Sequence, residues 1–186
     1  MQLFPDSQKA HPKGLRGRLL LRKMGNAHAT LDTWAINQIT IQEDAKILDL
    51  GCGNGNNISR FLAKAPLGLV YGADISKASA SISQRKNKKA IKEGKAKVFQ
   101  SDVLHLDFTV EAFDLISAFC TIRLWSSLNE SLARILELLK PNGVLMICDY
   151  GRYDVLEMIN LLRSIGFSRV ENIKEEPNFN LILAYK

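Results

Sequence analysis

The stretch KILDLGCGNGNN, residues 46–57, places three glycines at alternate positions directly after an apolar run that carries an acid near its end. The run at 45–51 has the length and composition of a strand that is buried on both faces of a parallel sheet. From about residue 56 to 65 apolar side chains recur at helical spacing, and Pro66 ends that pattern. The stretch therefore predicts a buried strand, a sharp glycine turn and a helix, in that order.

The rest of the chain alternates between the same two patterns. Ser76 is placed as the N-cap of a long helix, and the sequence KPNG at 140–143 is a turn signal before a later strand. Strands alternating with helices predict an α/β fold with a parallel sheet and right-handed crossovers. The expected strands lie at 69–75, 96–102, 113–119, 143–150, 168–173 and 178–186, and the expected helices at 77–94, 128–139 and 153–164.

Composition and cysteine content limit the classes of protein to consider. The chain has 186 residues, of which 46% are hydrophobic and 24% charged, as expected of one globular domain. No apolar run approaches the roughly 18 residues of a membrane span, and the N-terminal LLL is too short for a signal peptide. The cysteines lack paired metal-ligand spacing, so we expect no metal site and a cytoplasmic location; they are Cys52, Cys120 and Cys148.

The net charge of +6 is concentrated in two segments. Residues 1–30 carry six Lys or Arg against a single acid, and residues 77–97 carry eight against one. Such patches suit an anionic partner such as RNA. No aromatic residues are interleaved with the basic residues of 77–97 for base stacking, so the solvated face of a surface helix is the preferred interpretation.

The glycine turn is expected at the tip of the first strand, where open α/β sheets bind their ligands. A dinucleotide fingerprint requires its third glycine at position 56, but Asn56 stands there and the glycine lies at Gly55. Asp49 lies two residues before Gly51, and a carboxylate at the strand tip suits a positively charged ligand better than a pyrophosphate. Asp49 could also serve only to cap the turn.

The motifs taken together resemble those of the class I S-adenosylmethionine-dependent methyltransferases, in the small-molecule branch with a methyltransferase type 11-like domain. Five motifs carry the resemblance over roughly residues 30–186, with Asn142 at a position where the family has glycine. The resemblance implies a Rossmann-like fold whose mostly parallel, seven-stranded sheet has an antiparallel C-terminal strand and helices on both faces. The motifs are DLGCGNG, VYGADIS, QSDVLHLDF, FDLISAFCTIRLW and LLKPNGVLMICDY.

The resemblance also implies which residues bind S-adenosyl-L-methionine and its product, S-adenosyl-L-homocysteine. The glycine loop would hold the methionine part, Asp74 the ribose hydroxyls and Asp102 the adenine amino group, with Val103 beside the ring. Each acid also has an ordinary structural interpretation at a strand end. The residues expected to bind the cofactor are Asp49, Gly51, Cys52, Gly53, Gly55, Asp74, Ile75, Ser101, Asp102, Val103, Ser117 and Phe119, the last two at the sulfonium end.

The methyl acceptor is harder to place. Only one helix separates the fifth strand from the sixth, so we expect residues 1–44 to form a basic, helical lid over a methyltransferase domain at 45–186. Four residues are candidates for acceptor contact, and each also has a structural interpretation as a packing, surface or helix-anchoring residue. They are His28, Trp34, Arg123 and Trp125.

The function expected from the resemblance is methyl transfer to a small molecule at N, O or S. No catalytic residue is identified, because the methyl group of a sulfonium is already activated and a base is needed only for a protonated acceptor. The alternatives are an RNA methyltransferase and a catalytically silent cofactor-binding module. A monomer and a homodimer are both compatible with the sequence.

Overall fold

The computed structural model describes residues 29–151, 153–175 and 179–186. Its seven-stranded sheet has the strand order β3-β2-β1-β4-β5-β7-β6. The strands are β1 (Lys46–Leu50), β2 (Leu69–Asp74), β3 (Ala96–Gln100), β4 (Phe113–Phe119), β5 (Leu139–Asp149), β6 (Arg169–Glu175) and β7 (Phe179–Tyr185). The helices are α1 (Ala29–Asn37), α2 (Asn56–Lys64), α3 (Lys77–Lys86), α4 (Lys88–Lys92), α5 (Leu128–Leu138) and α6 (Val155–Ile165), with short 3₁₀ turns at Val103–His105 and Ile122–Leu124.

The direction of the strands confirms the predicted fold class. The first five strands pair in parallel, and β7 runs antiparallel to both of its neighbours, β5 and β6. The chain winds outward from β1 to β3 and then returns across the sheet to β4. Strand order therefore reverses between β1 and β4, and such a switch point opens a crevice at the carboxyl ends of the strands.

The central strands are buried on both faces, which explains why β1 reads as a nearly continuous apolar run. Leu48 packs in the core on one face of the sheet, while Ile47 packs on the other with Ile58 and Phe61 of α2. All four side chains are inaccessible to solvent. Burying side chains of this size stabilises a fold by roughly 1.5–3 kcal/mol each, so the switch point rests on a rigid base.

One local prediction was wrong in detail, and another was confirmed. The helix expected over 77–94 is two helices, because the chain leaves helical geometry at Asn87 between α3 and α4. The KPNG segment falls within the range of β5 but has no partner in β4: Phe113 pairs with Leu139 and Leu115 with Val144, so residues 140–143 bulge out of the ladder, as their turn signal predicts. Asn142 in that segment has a φ of 65°, the left-handed conformation that a turn here requires.

The connection from β5 to β6 contains a single helix, α6, as the sequence predicts. The only described helix ahead of β1 is α1, and it packs against α2 and β5. Its apolar face places Leu31, Ala35 and Ile36 in the core. His28 and the basic segment before it lie outside the described residues, so the expected lid at 1–44 stays a prediction.

The left-handed backbone at Asn142 gives a stability prediction. Asn142→Gly should raise the free energy of unfolding by about 0.5 kcal/mol, because glycine adopts positive φ without a Cβ penalty. Asn142→Ala should lower it by about 1 kcal/mol, since alanine tolerates this conformation less well than asparagine. Urea denaturation of the three proteins checks the order Gly, Asn, Ala; any other order contradicts this account of the β5 turn.

Candidate functional site at the carboxyl ends of the strands

The glycine turn leaves β1 at the switch point, and its glycines are required by geometry. Gly51 has a φ of 68° and Gly55 a φ of 75°. A Cβ at Gly51 would lie 2.3 Å from Oγ1 of Thr121, and a Cβ at Gly55 would lie 2.3 Å from Oγ of Ser83. The turn thus combines a left-handed backbone with close neighbours from the chain after β4 and from α3, which excludes any side chain at either position.

Strand β2 holds the turn in place through its last two residues. The N–H groups of Gly51 and Cys52 both donate to the carbonyl of Ala73, at 2.8 and 3.0 Å. The Asp74 carboxylate accepts from the N–H of Gly53 at 3.0 Å through Oδ2 and from the N–H of Ser76 at 2.8 Å through Oδ1. Asp74 therefore links the glycine turn to the start of α3, as well as lying where the sequence predicts a ribose contact.

Asp49 is the most deeply buried acid of the site. Register places it in β1 between Gly72 and Ser117, and its side chain is 2% exposed. Its Oδ1 accepts a 2.8 Å hydrogen bond from Oγ of Ser117, whereas its Oδ2 has no hydrogen-bond partner among the described residues. Burial raises the pKa of this carboxyl to about 7, although the Ser117 hydrogen bond acts in the opposite direction.

Asp32 is a member of the site that the sequence reasoning missed. It lies on α1 with 5% exposure, and its Oδ2 lies 3.5 Å from Nη1 of Arg60, which also donates to Oδ1 of Asn57 at 2.8 Å. Burial raises the pKa of Asp32 to about 6, while the Arg60 charge lowers it. A signal was present, because Asp32 occurs beside Leu31 on the apolar face of α1, where an acid is unusual.

The expected adenine end of the site is more open. Asp102 is exposed and caps the 3₁₀ turn at Val103–His105, with its Oδ1 accepting from the N–H groups of Leu104 and His105 and contacting the His105 ring at 2.8 Å. Val103 is buried, and Ser101 is half-buried. Ile75 is 39% exposed at the same edge, which leaves an apolar surface available to a planar ring.

The residues expected at the sulfonium end and the acceptor candidates differ in how deeply they are buried. Ser117 is fully buried, and its hydroxyl is engaged with Asp49, while half-buried Phe119 lies 6.3 Å from the Phe61 ring. Trp34 is half-buried rather than a core residue. Arg123 is exposed, and Trp125 packs partly buried against the core, so contact of either with an acceptor stays a prediction.

An aromatic cluster that the sequence reasoning did not find lies beside Trp34. The Trp34 ring centroid is 5.6 Å from that of Phe179 at the start of β7, and the Phe179 ring centroid is 5.7 Å from that of Tyr150 after β5. All three side chains are half-buried. They bring α1, the end of β5 and the start of β7 together. Only the sequence position of Trp34 hinted at this cluster, because its partners come from distant segments.

The cysteines lie in this region as packing residues. Cys52 and Cys148 are buried, and burial raises the pKa of both thiols, so both are neutral at physiological pH. Cys120 is half-buried with a φ of 53° and donates its N–H to the carbonyl of Cys148 at 2.8 Å. Within the part of the chain that the structure describes, no group of three or more His, Cys, Asp and Glu residues could hold a metal ion.

The residues present fit a cationic, nucleoside-bearing cofactor. Asp49 offers a buried carboxylate oxygen that no described residue satisfies, and an unpaired buried acceptor of this kind favours a ligand that donates hydrogen bonds. Beside it the glycine turn allows close approach to backbone N–H groups, and exposed Ile75 offers an apolar surface for a base. This donor set and polarity suit S-adenosylmethionine better than a pyrophosphate.

The fold and site define an S-adenosylmethionine-dependent methyltransferase class. A family model described as a methyltransferase domain matches residues 41–180, and the chain belongs to this family. An S-adenosylmethionine-dependent methyltransferase from Aquifex aeolicus has the same fold, with a TM-score of 0.78 and 18% identity over 89% of this chain and 96% of that one. The fold, the cofactor class and the family all agree with the resemblance found in the motifs.

Curated relatives differ in what they methylate. Malonyl-[acyl-carrier protein] O-methyltransferase of Priestia megaterium is 27% identical over 146 residues, which are 71% of this chain and 52% of that protein. The tRNA N(3)-cytidine methyltransferase METTL2 of Bos taurus is 28% identical over 126 residues, which are 61% of this chain and 32% of that protein. The chain spans about half the length, or less, of these curated relatives. Across the described residues, no helix is both long and apolar enough to cross a membrane.

The raised pKa of Asp49 gives a prediction about stability and pH. A carboxyl with a pKa of about 7 when folded and 3.8 when unfolded binds more protons in the folded state between those values. Its contribution to the free energy of unfolding therefore falls as pH rises from 4 to 7. Asp49→Asn removes this penalty, so the variant should gain stability relative to wild type by on the order of 2–3 kcal/mol between pH 5 and pH 8.

Urea denaturation of the cofactor-free proteins at several pH values measures that difference. The matched control is Asp114→Asn, because the Asp114 carboxylate is 38% exposed and pairs with Lys140 at 2.8 Å at the amino end of β4. The control should differ from wild type by a constant amount over this range. A constant difference for Asp49→Asn as well would show that Asp49 does not titrate as its burial requires.

Proposed function

We propose that the chain binds S-adenosylmethionine at the carboxyl ends of β1, β2 and β4 and transfers its methyl group to a small organic acceptor. The observation that carries the proposal is the buried, unpartnered Oδ2 of Asp49 directly behind the glycine turn. A sulfonium cofactor with an α-ammonium group would satisfy that oxygen. The family match supports the same chemistry.

Each part of the cofactor has residues that suit it. Asp49 and the turn at Gly51–Gly55 would hold the methionyl end, and Asp74 would accept hydrogen bonds from the ribose hydroxyls. Ile75 and Val103 would enclose the adenine ring, with Asp102 beside its amino group. The hydrogen bonds that Asp74 already makes to Gly53 and Ser76 fix its position before a ligand arrives.

The cofactor supplies an activated methyl group, so the protein's task is to position an acceptor and exclude water. The half-buried aromatic cluster of Trp34, Tyr150 and Phe179 is the surface best suited to hold an apolar or planar acceptor next to the switch point. Such an enclosed surface, contributed by α1, β5 and β7, favours a small molecule. The transfer acts at N, O or S, and a base is needed only where the acceptor atom carries a proton that it must lose.

RNA is the second candidate acceptor, and one observation favours it. The basic end of α3 adjoins the glycine turn: the amide of Asn87 donates to the carbonyl of Gly55 at 3.0 Å, and Lys86 contacts the side chain of Asn56. A basic surface beside the cofactor site would attract phosphates. RNA binding that weakens steeply with salt, together with methyl transfer to RNA, would select this candidate over the small molecule.

The remaining features of the proposal concern location and assembly. We propose a cytoplasmic location, because Cys52, Cys120 and Cys148 are free cysteines. We propose that residues 1–44 cover a methyltransferase domain at 45–186, with α1 as the part that contacts the site. A monomer and a homodimer both accommodate this arrangement.

Calorimetric titration with S-adenosylmethionine, S-adenosylhomocysteine and NAD tests the proposed cofactor. Wild type should bind the first two and not NAD. Asp74→Asn should weaken the binding of both S-adenosyl ligands by about tenfold to a hundredfold, because hydrogen bonds to a charged acceptor contribute roughly 1.5–3 kcal/mol. Asparagine retains one oxygen for the turn, and thermal unfolding reports whether the fold is intact. Labelled methyl donor then identifies the acceptor class.

Glu130→Gln is the matched control, since it removes an exposed carboxylate on α5. Its affinity for all three ligands should equal that of wild type. Binding of NAD alone, or tight S-adenosylhomocysteine binding that survives in Asp74→Asn, would contradict the proposal.

A further inference from the structure

Two carboxylates at the switch point share the same incomplete pattern of hydrogen bonds. Asp49 uses Oδ1 for the Ser117 hydroxyl, and Asp32 uses Oδ2 for Arg60. The remaining oxygen of each, Oδ2 of Asp49 and Oδ1 of Asp32, has no partner among the described residues although both side chains are more than nine-tenths buried. An unsatisfied buried acceptor is costly, so two in one region call for an explanation.

Core packing of α1 and the contact with Arg60 hold Asp32 in this buried position. Its neighbours Leu31 and Ala35 are buried in the core, which fixes the face of α1 that it shares. Arg60 approaches Asp32 from α2 and is itself held by a 2.8 Å hydrogen bond to Oδ1 of buried Asn57. Arg60 therefore engages one oxygen of Asp32 and leaves the other for something else.

The two carboxylates lie on neighbouring elements, because α1, which carries Asp32, packs against α2, and α2 follows the glycine turn directly behind Asp49. The charge of Asp32 contributes to raising the pKa of Asp49, and the Arg60 charge opposes this. Asp74 contributes in the same direction as Asp32. Within the part of the chain that the structure describes, Arg60 is the guanidinium that contacts Asp32, and a further cation beside Asp32 and Asp49 would be favourable.

The unpartnered oxygens determine which cation suits the region. Two carboxylate oxygens without a third ligand group are too few for a metal ion, and the described residues contain no metal-binding cluster. A primary ammonium group carries three N–H donors on a compact charge, which suits a region with unpaired carboxylate oxygens. Its source under the proposed function is the α-ammonium group of the cofactor's methionyl chain.

We infer that Asp32 is a second carboxylate of the cofactor's ammonium site, acting together with Asp49. This inference rests on the proposed function and extends it, because it makes α1 a part of the cofactor site rather than only a cover. Arg60 and Asn57 are then positioning residues that orient Asp32 toward the ligand. The helix before β1 and the turn after it would close on the same charged group.

The test compares two ligands that differ only at the methionyl end. S-Adenosylhomocysteine carries the ammonium group, whereas 5′-methylthioadenosine has the same thioether and nucleoside without it. Asp32→Asn retains the shape of the side chain. It should lower the affinity for S-adenosylhomocysteine by about tenfold to a hundredfold and leave the affinity for 5′-methylthioadenosine unchanged. Thr33→Ala, on the exposed side of the same helix, is the control and should change neither affinity.

Each other outcome has a distinct meaning. Equal weakening of both ligands in Asp32→Asn would show a general disturbance of the site and overturn the inference. Unchanged affinity for both would assign Asp32 a packing role and also overturn it, while leaving the proposed function in place. Wild-type protein that binds neither ligand would overturn the proposed function and this inference with it.

Discussion

The Ala73 carbonyl and the Asp74 carboxylate, at the end of β2, hold the turn that leaves β1. Three successive N–H groups of that turn, from Gly51 to Gly53, donate to these two acceptors. The turn can follow β1 only because its backbone is left-handed, and it keeps that shape only because β2 lies alongside. One interaction between the neighbouring strands β1 and β2 therefore sets the positions of the proposed methionyl and ribose subsites.

The same edge of the sheet concentrates acids that a core normally excludes. Asp32, Asp49 and Asp74 are all buried, and among the described residues Arg60 contacts the Asp32 carboxylate. Burial of several carboxylates around one guanidinium opposes folding, and raised pKa values for Asp32 and Asp49 are the physical expression of that opposition. Functional sites commonly retain such groups because a ligand, rather than the fold, completes their interactions.

Much of the fold was predictable because its signals are local. A buried parallel strand appears as a short apolar run, a helix as a repeating apolar face, and the glycine turn as three glycines between them. The prediction of a single long helix was wrong because tertiary contacts altered the local pattern. Asn87 interrupts the helix expected at 77–94, and its amide donates to the carbonyls of Gly55 and Ser83. The KPNG segment, by contrast, bulges out between the paired residues Leu139 and Val144, as its turn signal predicts.

The sequence by itself determined the order of strands and helices, the glycine turn and the placement of Asp49, Asp74 and Asp102 at strand ends, since each follows from residue type and spacing. Only the tertiary structure brought Asp32 into the region of Asp49 and assembled the cluster of Trp34, Tyr150 and Phe179. These contacts join segments far apart in the chain. They depend on how α1 packs across α2 and β5, and no local pattern records that packing.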